Sequence, residues 1–152
     1  MEKIERFMRE AIKEAKKAEL IDEVPIGCVI VKDDKIISRG HNVRETKQSP
    51  IGHAEIIAVN KASKKLNSWR LEDCDIYITL EPCIMCSGAI IQSRIRHVYF
   101  GAFDPKGGAL GSSINVLEAN NINHHPEITS GLLQEECSSL LTNYFKSKRM
   151  KK

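Results

Sequence analysis

Apolar residues in the first part of the chain form two different patterns. Up to position 15 they recur every three or four residues, at Ile4, Phe7, Met8, Ala11, Ile12 and Ala15. This spacing predicts an amphipathic helix, because residues three and four apart share one helix face. After Pro25, residues 26–31 are mostly apolar and β-branched, and Asp33-Asp34 separates them from a shorter run at 35–39. The two runs and their turn predict a β-hairpin.

Helix and strand patterns alternate after a polar loop at residues 41–52. The stretch from His53 to about Leu66 is a predicted helix, with three residues buried against a sheet: Ile56, Ile57 and Val59. Residues 75–80 and 97–100 are predicted strands, and Pro82 is expected in the first turn of an intervening helix. A glycine-rich loop at 101–111 precedes a terminal helix with one apolar face, formed by Leu133, Cys137, Leu140, Leu141 and Tyr144. This alternation predicts an α/β fold with helices on both faces of a sheet.

Length and composition indicate one ordinary globular unit. The 152 residues suit a single domain spanning 1–152, and the 41% hydrophobic and 28% charged content is typical of a globular protein. We expect no transmembrane helix, because no apolar run is long enough, and no signal peptide, because the first residues are charged. Five cysteines without a secretion signal favour a reducing compartment, and we expect a cytoplasmic protein.

The positive charge is concentrated at the end of the chain. Residues 146–152 carry five basic groups and no acid, so 23 − 5 leaves 18 basic against 20 acidic residues elsewhere, a net charge of −2. Such a basic tail at 146–152 can bind phosphates with salt-sensitive affinity. It can equally be a solvated terminus that keeps the protein soluble.

Two short motifs carry candidate chemistry: His53-Ala54-Glu55 and Pro82-Cys83-Ile84-Met85-Cys86. His53, Cys83 and Cys86 are ligand types that favour Zn²⁺, and three protein ligands leave a fourth position for water, as in catalytic zinc sites. We therefore expect a zinc-bound hydroxide as nucleophile, with Glu55 as the general base that moves a proton to the leaving group. The pattern H-x-E…P-C-x-x-C is typical of zinc nucleobase deaminases.

Other interpretations of the same residues stay open. A C-x-x-C pair at a helix start also occurs in thioredoxin-type redox proteins. His53 and Glu55 weigh against that interpretation, because dithiol exchange needs neither. Glu55 could also serve only to stabilise the helix dipole. The other cysteines, Cys28, Cys74 and Cys137, have no ligand spacing and are predicted to be small core residues.

Nearly the whole chain resembles the bacterial tRNA-specific adenosine deaminases of the cytidine deaminase-like superfamily. The resemblance rests on the two motifs above and on Glu23-Val24-Pro25-Ile26-Gly27, Gly40-His41-Asn42, Thr79-Leu80-Glu81, Ser93-Arg94-Ile95, Gly101-Ala102-Phe103-Asp104-Pro105-Lys106-Gly107-Gly108 and Tyr144-Phe145-Lys146. The zinc motif alone identifies only the superfamily, and the later segments narrow the match. Ile51-Gly52 replaces the more familiar Thr-Ala, and Ser87 stands where alanine is common; both differences could alter substrate fit.

The resemblance implies a three-layer α/β/α fold around a central mixed five-stranded sheet, with one Zn²⁺ per subunit. It also implies a homodimer in which the neighbouring subunit contributes to each site. It implies hydrolytic deamination of adenosine to inosine at the wobble position, the first of the anticodon, in the anticodon stem-loop of a tRNA, typically an arginine tRNA. Asn42 and the backbone around Ala54 would bind the purine. Asp104 and Lys106 would contact the flanking nucleotides. The terminal-helix aromatics Tyr144 and Phe145 would help to form the RNA groove.

Each of these implied roles has a simpler alternative. Asn42 could be only a turn residue, and Asp104 could cap local backbone instead of meeting RNA. Tyr144 and Phe145 could belong to the core face of the last helix. At the level of the whole protein, the alternatives are a deaminase of free guanine, cytosine or adenosine and a non-catalytic zinc module that binds nucleic acid.

Overall fold

The computed structural model describes residues 2–150, which form a five-stranded sheet with helices on both faces. Along the chain the elements are α1 (Glu2–Leu20), β1 (Gly27–Lys32), β2 (Lys35–His41), α2 (Ala54–Leu66), β3 (Cys74–Leu80), α3 (Ile84–Gln92), β4 (His97–Ala102), a short 3₁₀ helix (Val116–Glu118), β5 (Glu127–Thr129) and α4 (Gln134–Met150). Within this described part, no helix is both long and apolar enough to cross a membrane.

The sheet is mixed, with strand order β2-β1-β3-β4-β5. Strand β1 pairs antiparallel with both β2 and β3, whereas β3, β4 and β5 run parallel to one another. Parallel neighbours require crossover connections, and α3 supplies the one between β3 and β4. The ends of β3 and β4 therefore lie side by side, so that the segments after Leu80 and Ala102 meet at one edge.

Two hydrophobic cores lie between the sheet and the helices, one on each face of the sheet. Residues of α2 and α3, such as Ala58 and Ile90, pack with Ile76 and Ile78 on one face. On the other face, residues of α1 and α4 such as Met8 and Cys137 pack with sheet residues that include Val29 and Tyr77. This arrangement confirms the expected three-layer α/β/α fold around a mixed five-stranded sheet.

Helix α2 turns a different face to the sheet from the one we predicted. Its buried apolar residues are Ala54, Ala58 and Ala62, whereas Ile56, Ile57 and Val59 are only half-buried. Small residues are needed because strand β2 approaches closely: a Cβ on Gly40 would lie 2.3 Å from the Ala54 carbonyl oxygen. The Ser38 hydroxyl also donates to the Ala58 carbonyl at 2.8 Å. Ile56 and Ile57 therefore lie toward the outer face, whereas Val59 is half-buried and packs against the edge of the core.

Three smaller predictions were also wrong. Pro82 precedes α3 instead of occupying its first turn, since Cys83 is the N-cap and the helix begins at Ile84. Residues 101 and 102 belong to β4, so the loop starts at residue 103. Leu133 lies before α4 with a φ of 53°, although Cys137 and Tyr144 do form the buried face of that helix. The prediction for the three other cysteines was correct: Cys28, Cys74 and Cys137 are free and buried.

Candidate zinc and substrate site

Two helix N-termini bring the three predicted metal ligands together. His53 precedes the first residue of α2, Cys83 is the N-cap of α3, and Cys86 lies in the first turn of α3. Their ligand atoms all lie within 4.8 Å of one another. The His53 Nδ1 atom is 3.7 Å from the Cys83 Sγ and 3.5 Å from the Cys86 Sγ.

These distances fit a tetrahedral zinc ion. With a Zn–S bond of about 2.3 Å and a Zn–N bond of about 2.0–2.1 Å, tetrahedral geometry separates nitrogen from sulfur by about 3.6 Å. The two observed separations lie on either side of that value. Among residues 2–150 these are the only three His, Cys, Asp or Glu residues grouped in this way, so protein ligands supply three corners of the tetrahedron.

Hydrogen bonding within the cluster prepares a thiolate. The Cys86 thiol and His53 stabilise the charged form of Cys83 and lower its pKa to about 3, although burial opposes this. The pKa of Cys86 is raised, chiefly because its thiol donates to Cys83 and because it is buried. A bound metal cation would favour the thiolate form of both cysteines, because the deprotonated sulfur is the metal ligand.

Glu55 lies beside the cluster on the first turn of α2 and is 4% exposed. Burial raises the pKa of its carboxyl group to about 7. A carboxyl group with a pKa near neutrality can both accept and donate a proton, which suits general acid–base catalysis. A carboxylate that only stabilised the helix dipole would not need this burial.

His53 of this cluster and the neighbouring Glu55 line a cavity of about 240 Å³. Its walls come from six segments of the chain, with Val24, Ile26, Asn42, Arg44, His53, Ala54, Glu55, Leu80, Asp104 and Phe145 as lining residues. The volume lies below the roughly 300–1,000 Å³ of pockets for drug-sized ligands, so it suits a single ring system. The wall is largely apolar, with Asn42 and Glu55 as its buried polar groups.

Asn42 and Asp104 line this cavity but also make local hydrogen bonds. The Asn42 amide group donates to the Val24 carbonyl at 3.3 Å and accepts from the Arg44 N–H at 3.1 Å. Asp104 accepts from the backbone N–H groups of Lys106 and Gly107 at 3.2 and 3.1 Å. Asn42 therefore does stabilise the local turn, and Asp104 does cap the local backbone. Both residues also lie on the cavity wall.

Of the three other residues predicted to contact RNA, only Phe145 lines the cavity. Phe145 lines the cavity and is 45% exposed, so its ring is available at the entrance. Tyr144 is buried, and its hydroxyl donates to the Asp22 carbonyl at 3.2 Å, which gives it a structural role. Lys106 is exposed and lies outside the cavity wall.

Sequence reasoning missed two buried carboxylates that hold the loops around this cavity. Glu23 accepts from the backbone N–H groups of Glu45 and Thr46, and Glu81 accepts from three N–H groups of the loop after β4. In both cases burial alone would raise the pKa, but these hydrogen bonds outweigh it and lower the pKa. Each glutamate occurs within a motif of the resemblance, and a charged residue in such an apolar context was the available signal.

A known family of zinc-binding proteins matches the part of the chain that contains this site. Residues 1–102 match the model of the cytidine and deoxycytidylate deaminase zinc-binding region. The chain therefore belongs to this deaminase family, and its His-Cys-Cys cluster fits one zinc ion per subunit.

Within this family, the chain is similar over nearly its whole length to proteins named tRNA-specific adenosine deaminase. A protein of Bacillus subtilis (strain 168) named tRNA-specific adenosine deaminase is 53% identical over 148 residues, which is 97% of this chain and 92% of that protein. A Haemophilus influenzae protein of the same name is 44% identical, with 97% of this chain and 86% of that protein covered.

Two solved structures point to different substrates. One, from a study of A-to-I editing by tRNA:A34 deaminases at the wobble position, superposes with a TM-score of 0.87 at 42% identity, covering 90% of this chain and 99% of its own. A guanine deaminase from Bacillus subtilis superposes with a TM-score of 0.62 at 40% identity, covering 65% of this chain and 64% of its own.

Proposed function

We propose that this protein is a zinc-dependent tRNA adenosine deaminase that converts adenosine to inosine at the first anticodon position, with an arginine tRNA as the expected substrate. The observation that carries the proposal is the His53-Cys83-Cys86 cluster beside buried Glu55 at an apolar, base-sized cavity. The high identity to tRNA-specific adenosine deaminases over nearly the full chain supports adenosine in RNA as the substrate. We assign residues 1–152 to one catalytic domain.

The reaction replaces an exocyclic amino group by oxygen, and Glu55 moves the protons. A zinc ion held by His53, Cys83 and Cys86 would supply an activated water molecule as the nucleophile at neutral pH. Ionised Glu55 accepts the proton from the attacking water, and the protonated carboxyl then donates to the departing amine. Asn42, held by its two backbone hydrogen bonds, orients the purine. Ala54 is the first residue of α2, so its N–H is not needed within the helix and can donate to the base.

Several features around the cavity support a polymeric substrate. An anticodon enzyme must accept one extruded base while the rest of the strand stays outside. Phe145 offers a partly exposed ring at the entrance, on which a neighbouring base can stack. Arg44 and Lys106 are exposed near the two loops that flank the entrance, and the basic residues at the end of α4 can follow the phosphates.

We also propose a homodimer formed through the outer face of α2 and α3, with the neighbouring subunit completing each site. Helix α3 contains no charged residue, and Ile84 at its start is 63% exposed. Outside α2, a larger cavity of about 480 Å³ borders Ile56 and Ile57, and Ile51 beside it is 55% exposed. An uncharged helix next to exposed isoleucines is typical of a protein interface. A monomeric sedimentation profile at micromolar concentration would contradict the dimer.

One substrate panel tests the proposed activity. The zinc-loaded protein is incubated with an anticodon stem-loop carrying the sequence ACG and, separately, with free adenosine, cytosine and guanine. We expect inosine in the stem-loop and no turnover of the free compounds. Turnover of guanine with an untouched stem-loop would instead assign the activity of the similar guanine deaminase. Because tRNA is the substrate, we place the enzyme in the cytoplasm.

A further inference from the structure

We propose that Glu81 is a positioning residue for RNA recognition, because it fixes the loop at residues 103–113 to the segment that carries the zinc ligands. The inference rests on the proposed function, since it assigns the contacts with the flanking nucleotides to this loop. Glu81 itself is 2% exposed and is not among the residues that line the cavity beside the zinc ligands, so we assign it an action through the loop and not a contact with the substrate.

The Glu81 carboxylate is the centre around which the loop folds. One oxygen, Oε1, accepts from the Asp104 N–H at 3.1 Å and from the Ser112 hydroxyl. The other, Oε2, accepts from the N–H groups of Leu110 and Ser112 at 3.0 and 3.1 Å. Four donors, spread over nine residues of the loop, thus converge on one side chain.

The backbone on either side of Glu81 joins the same loop to the metal site. The Glu81 N–H donates to the Ala102 carbonyl, and the Pro82 carbonyl accepts from the Ala109 N–H, both at 2.9 Å. Cys83 follows directly as the N-cap of α3. The position of the loop is therefore defined relative to a zinc ligand, which fixes where Asp104 lies on the cavity wall.

Gly108 packs closely against the Glu81 carboxylate. A Cβ on Gly108 would lie 2.4 Å from the Glu81 Cδ and 2.5 Å from its Oε1. The loop backbone therefore lies directly on the carboxylate. A neutral or shorter side chain at position 81 cannot satisfy all four donors from that position, and the loop would lose hydrogen bonds to a charged group.

Glu81→Gln is the most direct test because it changes the chemistry with almost no change in shape. An amide nitrogen in place of Oε2 would face the N–H groups of Leu110 and Ser112. In place of Oε1 it would face the Asp104 N–H, whereas the Ser112 hydroxyl could turn and accept from it, so at least one backbone donor loses its acceptor in either orientation. A hydrogen bond to a charged group is typically worth about a tenfold to hundredfold change in an equilibrium constant. We expect the KM for the stem-loop to rise by about tenfold or more, with kcat within about threefold of wild type and zinc still bound one to one.

Two readouts separate positioning from a general loss of structure. Discrimination between stem-loops that differ in the nucleotides flanking the target adenosine should weaken in Glu81→Gln. Amide hydrogen exchange at residues 104–112 of the zinc-loaded protein should accelerate, while exchange in α2 stays unchanged. The exchange measurement needs no substrate, so it tests the inference even if the stem-loop proves not to be the substrate of the wild-type protein.

Adjacent serines provide a matched pair of milder variants, should Glu81→Gln fold poorly. Ser112→Ala removes the hydroxyl that donates to Glu81. Ser113→Ala removes a neighbouring exposed hydroxyl that makes no hydrogen bond within residues 2–150. We expect a severalfold higher KM and faster loop exchange for the first variant and wild-type behaviour for the second.

Three results would overturn the inference. An unchanged KM and unchanged exchange in Glu81→Gln would show that the loop holds its position without the carboxylate. Loss of zinc and of kcat with KM preserved would make Glu81 a support of Cys83 instead. Equal effects of Ser112→Ala and Ser113→Ala would remove the special role of the hydrogen bond to Glu81.

Discussion

Replacing Gly40 with alanine should push helix α2 away from the sheet. We expect this movement to displace His53 and Glu55, which flank Ala54 at the start of that helix. An added Cβ would lie 2.3 Å from the Ala54 carbonyl oxygen and 3.1 Å from the Ala58 nitrogen. Carbon and carbonyl oxygen normally approach to about 3.3 Å at closest, so the helix and strand must move apart by about 1 Å. Both contacts are with helix backbone, which has no rotamer to relieve them.

The displacement should reduce both stability and activity. Inserting a methyl group into a tightly packed core typically costs about 1–3 kcal/mol. For a chain of this size each kcal/mol lowers the melting temperature by about 2–4 °C, so we expect a decrease of about 2–12 °C. Ala54 lies between His53 and Glu55, and a shift of about 1 Å in a catalytic group can lower the rate by about a hundredfold. Thermal denaturation and the initial rate of inosine formation measure the two effects.

Gly88→Ala is the matched control, because it is the same substitution where, apart from its chain neighbours and the nearby backbone of its own helix, no described atom lies within 4 Å of the added Cβ. Gly88 is inside helix α3, where alanine should stabilise by about 0.5–1 kcal/mol. A Gly40→Ala protein with the melting temperature and rate of the wild type would refute the reasoning about the close approach of β2 and α2. A loss of stability in Gly88→Ala that depends on protein concentration would instead place that helix face at the dimer interface.

Three further predictions concern the site and its RNA contacts. Glu55→Gln should keep zinc, measured by metal analysis, and lose about 10²–10⁴-fold in rate, whereas near-wild-type turnover would mean that another group moves the proton. Cys83→Ala should lose zinc and Cys74→Ala, at the far end of β3, should retain it, so equal zinc contents would contradict the ligand assignment. Lys146→Ala with Arg149→Ala should weaken RNA binding and flatten its salt dependence, and an unchanged slope would leave the tail with a solubility role.

The chemistry of this chain was predictable because it depends on short local motifs. The spacing of Cys83 and Cys86 places both thiols at one helix start. Pro25 precedes the hairpin, and the Asp33-Asp34 turn connects its two strands. Neither feature requires knowledge of distant contacts. The amphipathic pattern of α1 was equally local, and its buried residues include Phe7, Met8, Ala11, Ile12 and Ala15.

What could not be predicted depends on contacts between distant segments. Strand β5 has only three residues, at the edge of the sheet, and no periodicity marks it. The buried face of α2 was misjudged because Gly40 on another element decides that only alanines fit there. Glu81 looked like part of a motif, and only the folded loop shows four donors meeting at its carboxylate.

The central claim is a zinc ion with three protein ligands and one exchangeable position beside Glu55. X-ray absorption at the zinc edge of the loaded protein tests it most directly. We predict two sulfur neighbours at about 2.3 Å, one imidazole nitrogen at about 2.0–2.1 Å and one light atom from solvent that inhibitor binding replaces. Three or more sulfur neighbours, or a second imidazole, would close the site and contradict the proposed deaminase.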